Sequence, residues 1–174
     1  VLLGNGVNSF AEDLATRAPK VLVVEDDQLE NFNSLCYQKV LSSLISKYQP
    51  LLTLIGHTAF GMDLAPSLSI EMGLPMVTDC IDLSLDGTRL KGIRSIYGGK
   101  VNANISLKES KGYVATIRPG TFSPKMPGDK KGGIVVEPSP LQGAFDAKKF
   151  LKYIEAPLTG EDITQVELIV AIGQ

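Results

Sequence analysis

Short, mostly apolar strand-like runs alternate with helix-length stretches through the first half of this chain, and that alternation constrains the fold most. Val21–Val24 is a continuous apolar run, and Leu51–Ile55 and Met76–Ile81 read as the next strands. Such runs mark parallel strands covered on both faces. Between them lie three helix signals. Phe10, Leu14 and Ala18 are spaced four apart, with Ser9 as the expected cap and Pro19 as the stop. Ser34 is the expected cap of a second helix, whose buried stripe is Leu35, Val40, Leu41, Leu44, Ile45 and Tyr48, closed by Pro50. A third runs from Ala59 to Met72 and stops at Gly73. With Val1–Gly4 as the end of a strand, the order predicts an α/β domain, a parallel sheet with helices on both faces.

After Asp82 the pattern changes. Asp86-Gly87 reads as a hairpin turn between Leu83-Ser84-Leu85 and the segment from Thr88 to Ile96. Lys100–Leu107 and Tyr113–Ile117 read as further strands, so a β-rich antiparallel extension is expected to join the same sheet. The proline-rich stretch from Pro119 to Pro140 reads as loop with one short strand, Ile134–Val136. At 174 residues the chain suits one domain. A net charge of -2 without a basic run points away from nucleic acid and anionic lipid. The longest apolar stretches are too short to span a bilayer. Cys36 and Cys80, without CxxC spacing, read as reduced, packed thiols of a cytoplasmic protein.

Few residues carry a chemical signal. Gly56-His57-Thr58-Ala59-Phe60-Gly61 sits at a strand-to-helix turn, where free amides could hold phosphate. It lacks the Lys-Ser/Thr of a phosphate-binding loop, so a tight turn is the better reading, with Thr58 as cap and Gly61 allowing close packing. His57, the single histidine, reads as a turn residue, since no nucleophile motif accompanies it. Glu25-Asp26-Asp27 reads as solvated turn acids rather than a cation site. Arg94 and Arg118 each stand at a strand end, where a guanidinium fork suits carboxylate or phosphate. Two readings stay open for them: an anion or partner-subunit contact, or internal pairing with Asp63, Asp79 or Asp82. Thr58, Arg94 and Arg118 are thus the candidate contacts, and no catalytic or metal-ligating set is expected.

Taken in order, VLVVED, GHTAFGMDLAP, VTDC, RSIYGG and TIRPGTF resemble the amino-terminal domain of the electron-transfer flavoprotein alpha subunit. The resemblance implies a three-layer, Rossmann-like fold of the adenine-nucleotide-hydrolase type. It implies a heterodimer with the electron-transfer flavoprotein beta subunit, carrying electrons from flavin dehydrogenases to an acceptor, as in fatty acid oxidation. FAD would lie mainly in a carboxyl-terminal domain completed by the beta subunit. Residues 1–156 would be the amino-terminal domain, lacking a first strand and helix, and 157–174 a linker with the first strand of the FAD domain, Glu167–Ile172. By the same resemblance FLKYIEA, from Phe150, is a strand, although the spacing from Phe145 to Tyr153 has a helical period. Gln174 would stand where the family's Gly-Gly-Arg-Gly has arginine, at the edge of the FAD loop. Gly98–Asn104 departs from the family by being more polar. The expected compartment is the cytoplasm, or the mitochondrial matrix in a eukaryote, with no membrane insertion and no catalysis by this piece alone. The reading from another class is an adenine-nucleotide-binding module of the universal-stress type, which shares the α/β layout.

Overall fold

The computed structural model describes residues 1–123, 131–143, 148, 150–154 and 166–172. Its elements are β1 (Leu2–Gly4), α1 (Asn8–Ala15), β2 (Lys20–Glu25), α2 (Ser34–Tyr48), β3 (Leu52–Gly56), α3 (Ala59–Met72), β4 (Met76–Asp86), β5 (Arg89–Ile96), β6 (Val101–Ser106), β7 (Tyr113–Ile117) and β8 (Gly133–Val136). The molecule is α/β and rich in parallel pairing. The strands form two groups, β1-β2-β8, all parallel, and β3-β7-β4-β5-β6. In the second group β7 is parallel to both β3 and β4, while β5 and β6 add antiparallel strands at one edge.

The late strand β7 therefore splits β3 from β4, which the chain order alone does not reveal. Its residues Tyr113, Val114, Ala115 and Thr116 are all buried. Val114 packs with Ile45 of α2 and Ala65 and Leu68 of α3. Tyr113 and Ala115 face the other way, toward Val77, Cys80 and Leu90, with Leu83 and Ile105 packed alongside. The antiparallel extension thus covers the sheet face opposite the helices, making three layers. Helix α2 serves both groups of strands, because Val40 and Leu44 pack on Val24 while Ile45 packs beside Val114. The Lys47 ammonium, 2.6 Å from Glu137, and the Tyr48 hydroxyl also bind that buried carboxylate just beyond β8.

Several local expectations need correction. Ser9 lies inside α1, whose N-cap is Val7 with no side-chain cap. Phe10 is exposed, and Ala11 and Ala15 form the buried stripe, packing on Val21 and Val23. Small residues let this helix sit close to β2. The cap of α2 is Asn33, whose side chain accepts from the Leu35 amide at 3.1 Å, while Ser34 is buried inside the helix. Tyr48 lies largely outside the buried stripe and reaches Glu137 instead. The hairpin turn is Gly87-Thr88, because Asp86 is still paired with Arg89. Residues 150–154 and 168–172 contain neither strand nor helix, against the strands expected there. They have no ladder partner among the described residues to satisfy an extended backbone. Among the described residues no helix is long and apolar enough to cross a membrane.

Candidate functional site

In an open parallel sheet, ligands gather at the carboxyl ends of the strands. Here that edge is built from the ends of β3 and β7 and from Asp79-Cys80, where the parallel part of β4 ends. Helix α3 starts there as expected: the Thr58 hydroxyl accepts from the Gly61 amide at 3.3 Å. Gly61 is required, since a Cβ would fall 1.9 Å from the Gly56 carbonyl oxygen.

The centre of the edge is Asp79. Its φ of 56° is left-handed, a conformation costing a non-glycine residue about 1–2 kcal/mol. The pairing of β4 with β7 slips between Val77 and Cys80, so Asp79 stands out of the ladder. Thr116 takes the place of a ladder partner: its buried hydroxyl accepts from the Asp79 amide at 2.9 Å. The same oxygen lies 2.9 Å from His57 Nδ1. The His57 amide donates to the Ile117 carbonyl at 2.7 Å, pinning the ring at the end of β3.

Arg118 closes the arrangement. Its Nε donates to Asp79 Oδ1 at 2.9 Å and its Nη2 to Oδ2 at 2.6 Å, a bidentate charge-assisted pair. Its amide donates to the Cys80 carbonyl at 3.0 Å. The hydrogen bonds from Arg118 hold the Asp79 carboxyl below the usual carboxylate range against the opposing effect of burial, and raise the guanidinium in turn. His57 Nε2 is 4.0 Å from Asp79 Oδ1, close enough for charge but not for a hydrogen bond.

Arg94 joins the same site with no ion pair among the described residues. Its Nη1 donates to Thr78 Oγ1 at 2.7 Å, and its buried Nε has no partner among the described residues. Of the two readings left open, internal pairing thus holds for Arg118 with Asp79 but not for Arg94. Asp63 instead lies 3.7 Å from Lys148, and Asp82 accepts from the Leu83 amide. Gln174 lies outside the described residues. Sequence reasoning named Asp79 only as an acceptor for arginine and passed over Thr116. The available signal was the threonine in the run Tyr113–Ile117, whose hydroxyl, once buried, demands a hydrogen-bond partner.

The other flagged groups build local structure. The Glu25 carboxylate accepts from the Val7 amide at 2.9 Å, and Asp26 caps a single 3-10 turn at Asp27–Leu29. Cys36 and Cys80 are separate, buried free thiols.

Comparison with known proteins gives one answer. The Electron transfer flavoprotein domain family matches residues 1–141. The chain is 29% identical along its whole length to 53% of the electron transfer flavoprotein subunit alpha of Megasphaera elsdenii. It is equally similar, at 29%, to 53% of the corresponding subunit of Bacillus subtilis. It is 27% identical to 42% of a protein of Acetobacterium woodii named lactate dehydrogenase (NAD(+),ferredoxin) subunit LctC. The chain spans about half the length of the curated relatives it matches. It belongs to the electron transfer flavoprotein domain family.

Proposed function

We propose that this domain is the scaffold and subunit-association part of an electron-transfer flavoprotein alpha subunit. In this reading residues 1–156 are the rigid base, and 157–174 lead into a second domain that holds most of the FAD. The beta subunit completes the cofactor site, flavin dehydrogenases supply the electrons, and the assembled heterodimer works in the cytoplasm or the mitochondrial matrix. Gln174 then borders the FAD loop, while Arg94, Arg118 and Thr58 lie at an edge available to a partner. The observation that carries this reading is the match of the whole chain to half of each alpha subunit. The geometry supports it: a mobile cofactor domain needs a firm support. The Asp79–Arg118–Thr116–His57 cluster ties the ends of β3 and β7 to β4, as a support requires.

The test is the visible absorption spectrum of the full-length native protein, purified with whatever subunit accompanies it. A flavin spectrum that bleaches when a reduced flavin dehydrogenase is added is the expected result. A colourless monomer that binds AMP or ATP overturns the reading and favours a nucleotide-binding module.

A further inference from the structure

The strand-end site holds more positive charge than it neutralises. Arg118 gives Nε and Nη2 to Asp79, while its Nη1 makes no hydrogen bond among the described residues and the side chain is 40% exposed. Arg94 gives Nη1 to the neutral Thr78 hydroxyl, and its buried Nε has no partner among the described residues. The two guanidiniums stand on either side of one residue. Arg94 is the ladder partner of Cys80, and the Arg118 amide donates to the Cys80 carbonyl. Asp79 is the one carboxylate bonded to either arginine among the described residues. A guanidinium partly withdrawn from water without a counter-charge is costly. The surplus is local, since the chain as a whole carries a net charge of -2.

This surplus suits a carboxylate better than a phosphate. Phosphate at a strand-to-helix turn is held by free backbone amides. Here the amides of His57, Thr58, Gly61 and Met62 are already bonded, to Ile117 or within the turn. One uncompensated charge also matches a singly charged group, and a guanidinium fork grips a carboxylate with two parallel hydrogen bonds. We propose that Arg94 receives an acidic side chain of the accompanying subunit, with Arg118 held beside it by Asp79 as a second donor. The contact presupposes the subunit association proposed above and gives it a named anchor. Arg94 supplies the charge that attracts the acid, and the Asp79–Arg118 pair keeps the neighbouring fork in place.

The test is made on the full-length native protein and the subunit that purifies with it, by titration calorimetry of their reassociation. Arg94→Gln should weaken the association about tenfold and flatten its dependence on sodium chloride. Arg94→Lys keeps the charge and should retain that salt dependence. In this variant a carbodiimide should join the new amine to a carboxylate of the subunit, which decides the matter even if Arg94→Gln does not fold. A subunit that binds Arg94→Gln as tightly as the parent, or a cross-link to an acid of the same chain, overturns the proposal and leaves the association reading standing. Absence of any accompanying subunit overturns both. Stabilisation by inorganic phosphate that disappears in Arg94→Gln marks a small-anion site and overturns the proposal as well.

Discussion

At the scale of single residues, the site turns on an exchange between strain and bonding. Asp79 adopts a left-handed backbone, and its amide and carboxylate are then met by Thr116 and Arg118. Because the folded carboxyl is held below its ordinary value by Arg118, the pair stabilises the fold most when Asp79 is charged in both states. That contribution is complete above the ordinary aspartate value of about 3.9 and is lost as pH falls through the depressed folded value. Asp79→Asn keeps a residue that tolerates positive φ but removes the charge. It should lower the urea midpoint at neutral pH, with the difference from the parent closing below pH ~4; a constant difference across that window would show that the ion pair contributes nothing. Arg118 was legible in the sequence as a strand-end cation with Asp79 among three candidate partners, whereas Arg94 lies inside β5 and donates to Thr78, which the sequence did not announce. Asp79 comes within reach of Arg118 only because the chain slips out of the ladder between Val77 and Cys80, a backbone event that no side-chain pattern announces.

At the scale of elements, spacing located α3 to the residue, because Thr58 and Gly73 are unambiguous stops. It also gave β7 its correct bounds. The first two helices show the limit. Ser9 and Ser34 are good caps by residue type, yet the chain enters each helix earlier. At α2, Asn33 accepts from the Leu35 amide and also donates to the Lys148 carbonyl at 3.1 Å, a long-range bond that adds to its local preference. Asn33→Ala should cost about 1 kcal/mol, the usual value of a lost cap. Among the described residues Ser34 Oγ accepts from the half-exposed Lys148 ammonium at 2.9 Å, so Ser34→Ala should cost less. Equal losses in equilibrium denaturation would argue against the cap assignment.

At the scale of the whole molecule, the fold class was readable because apolar runs and helices alternate, whereas strand order was not. Periodicity reports that a strand is buried on two faces but not which neighbours it has. The pairing of β3 with β7 joins Leu52 to Tyr113, two residues far apart in the chain. Hydrogen exchange should find the slowest amides in β7, where every peptide is flanked by strands and covered by two layers. The amides of Asn102 and Asn104 point away from β5, since the Leu107 amide bonds Leu90 and pairing alternates along β6, so they should exchange much faster. Comparable protection in β7 and at those two positions would contradict this order.

The central place of β7 has a consequence for biosynthesis. While the ribosome has delivered β3 and β4 but not residue 117, the gap between those strands is open, and each offers a full row of unpaired backbone groups. A strand from any neighbouring polypeptide could enter that slot first. Synthesis from β4 to β7 is thus the interval in which the nascent chain most needs a holding chaperone, and a translational pause placed there would trade yield for aggregation.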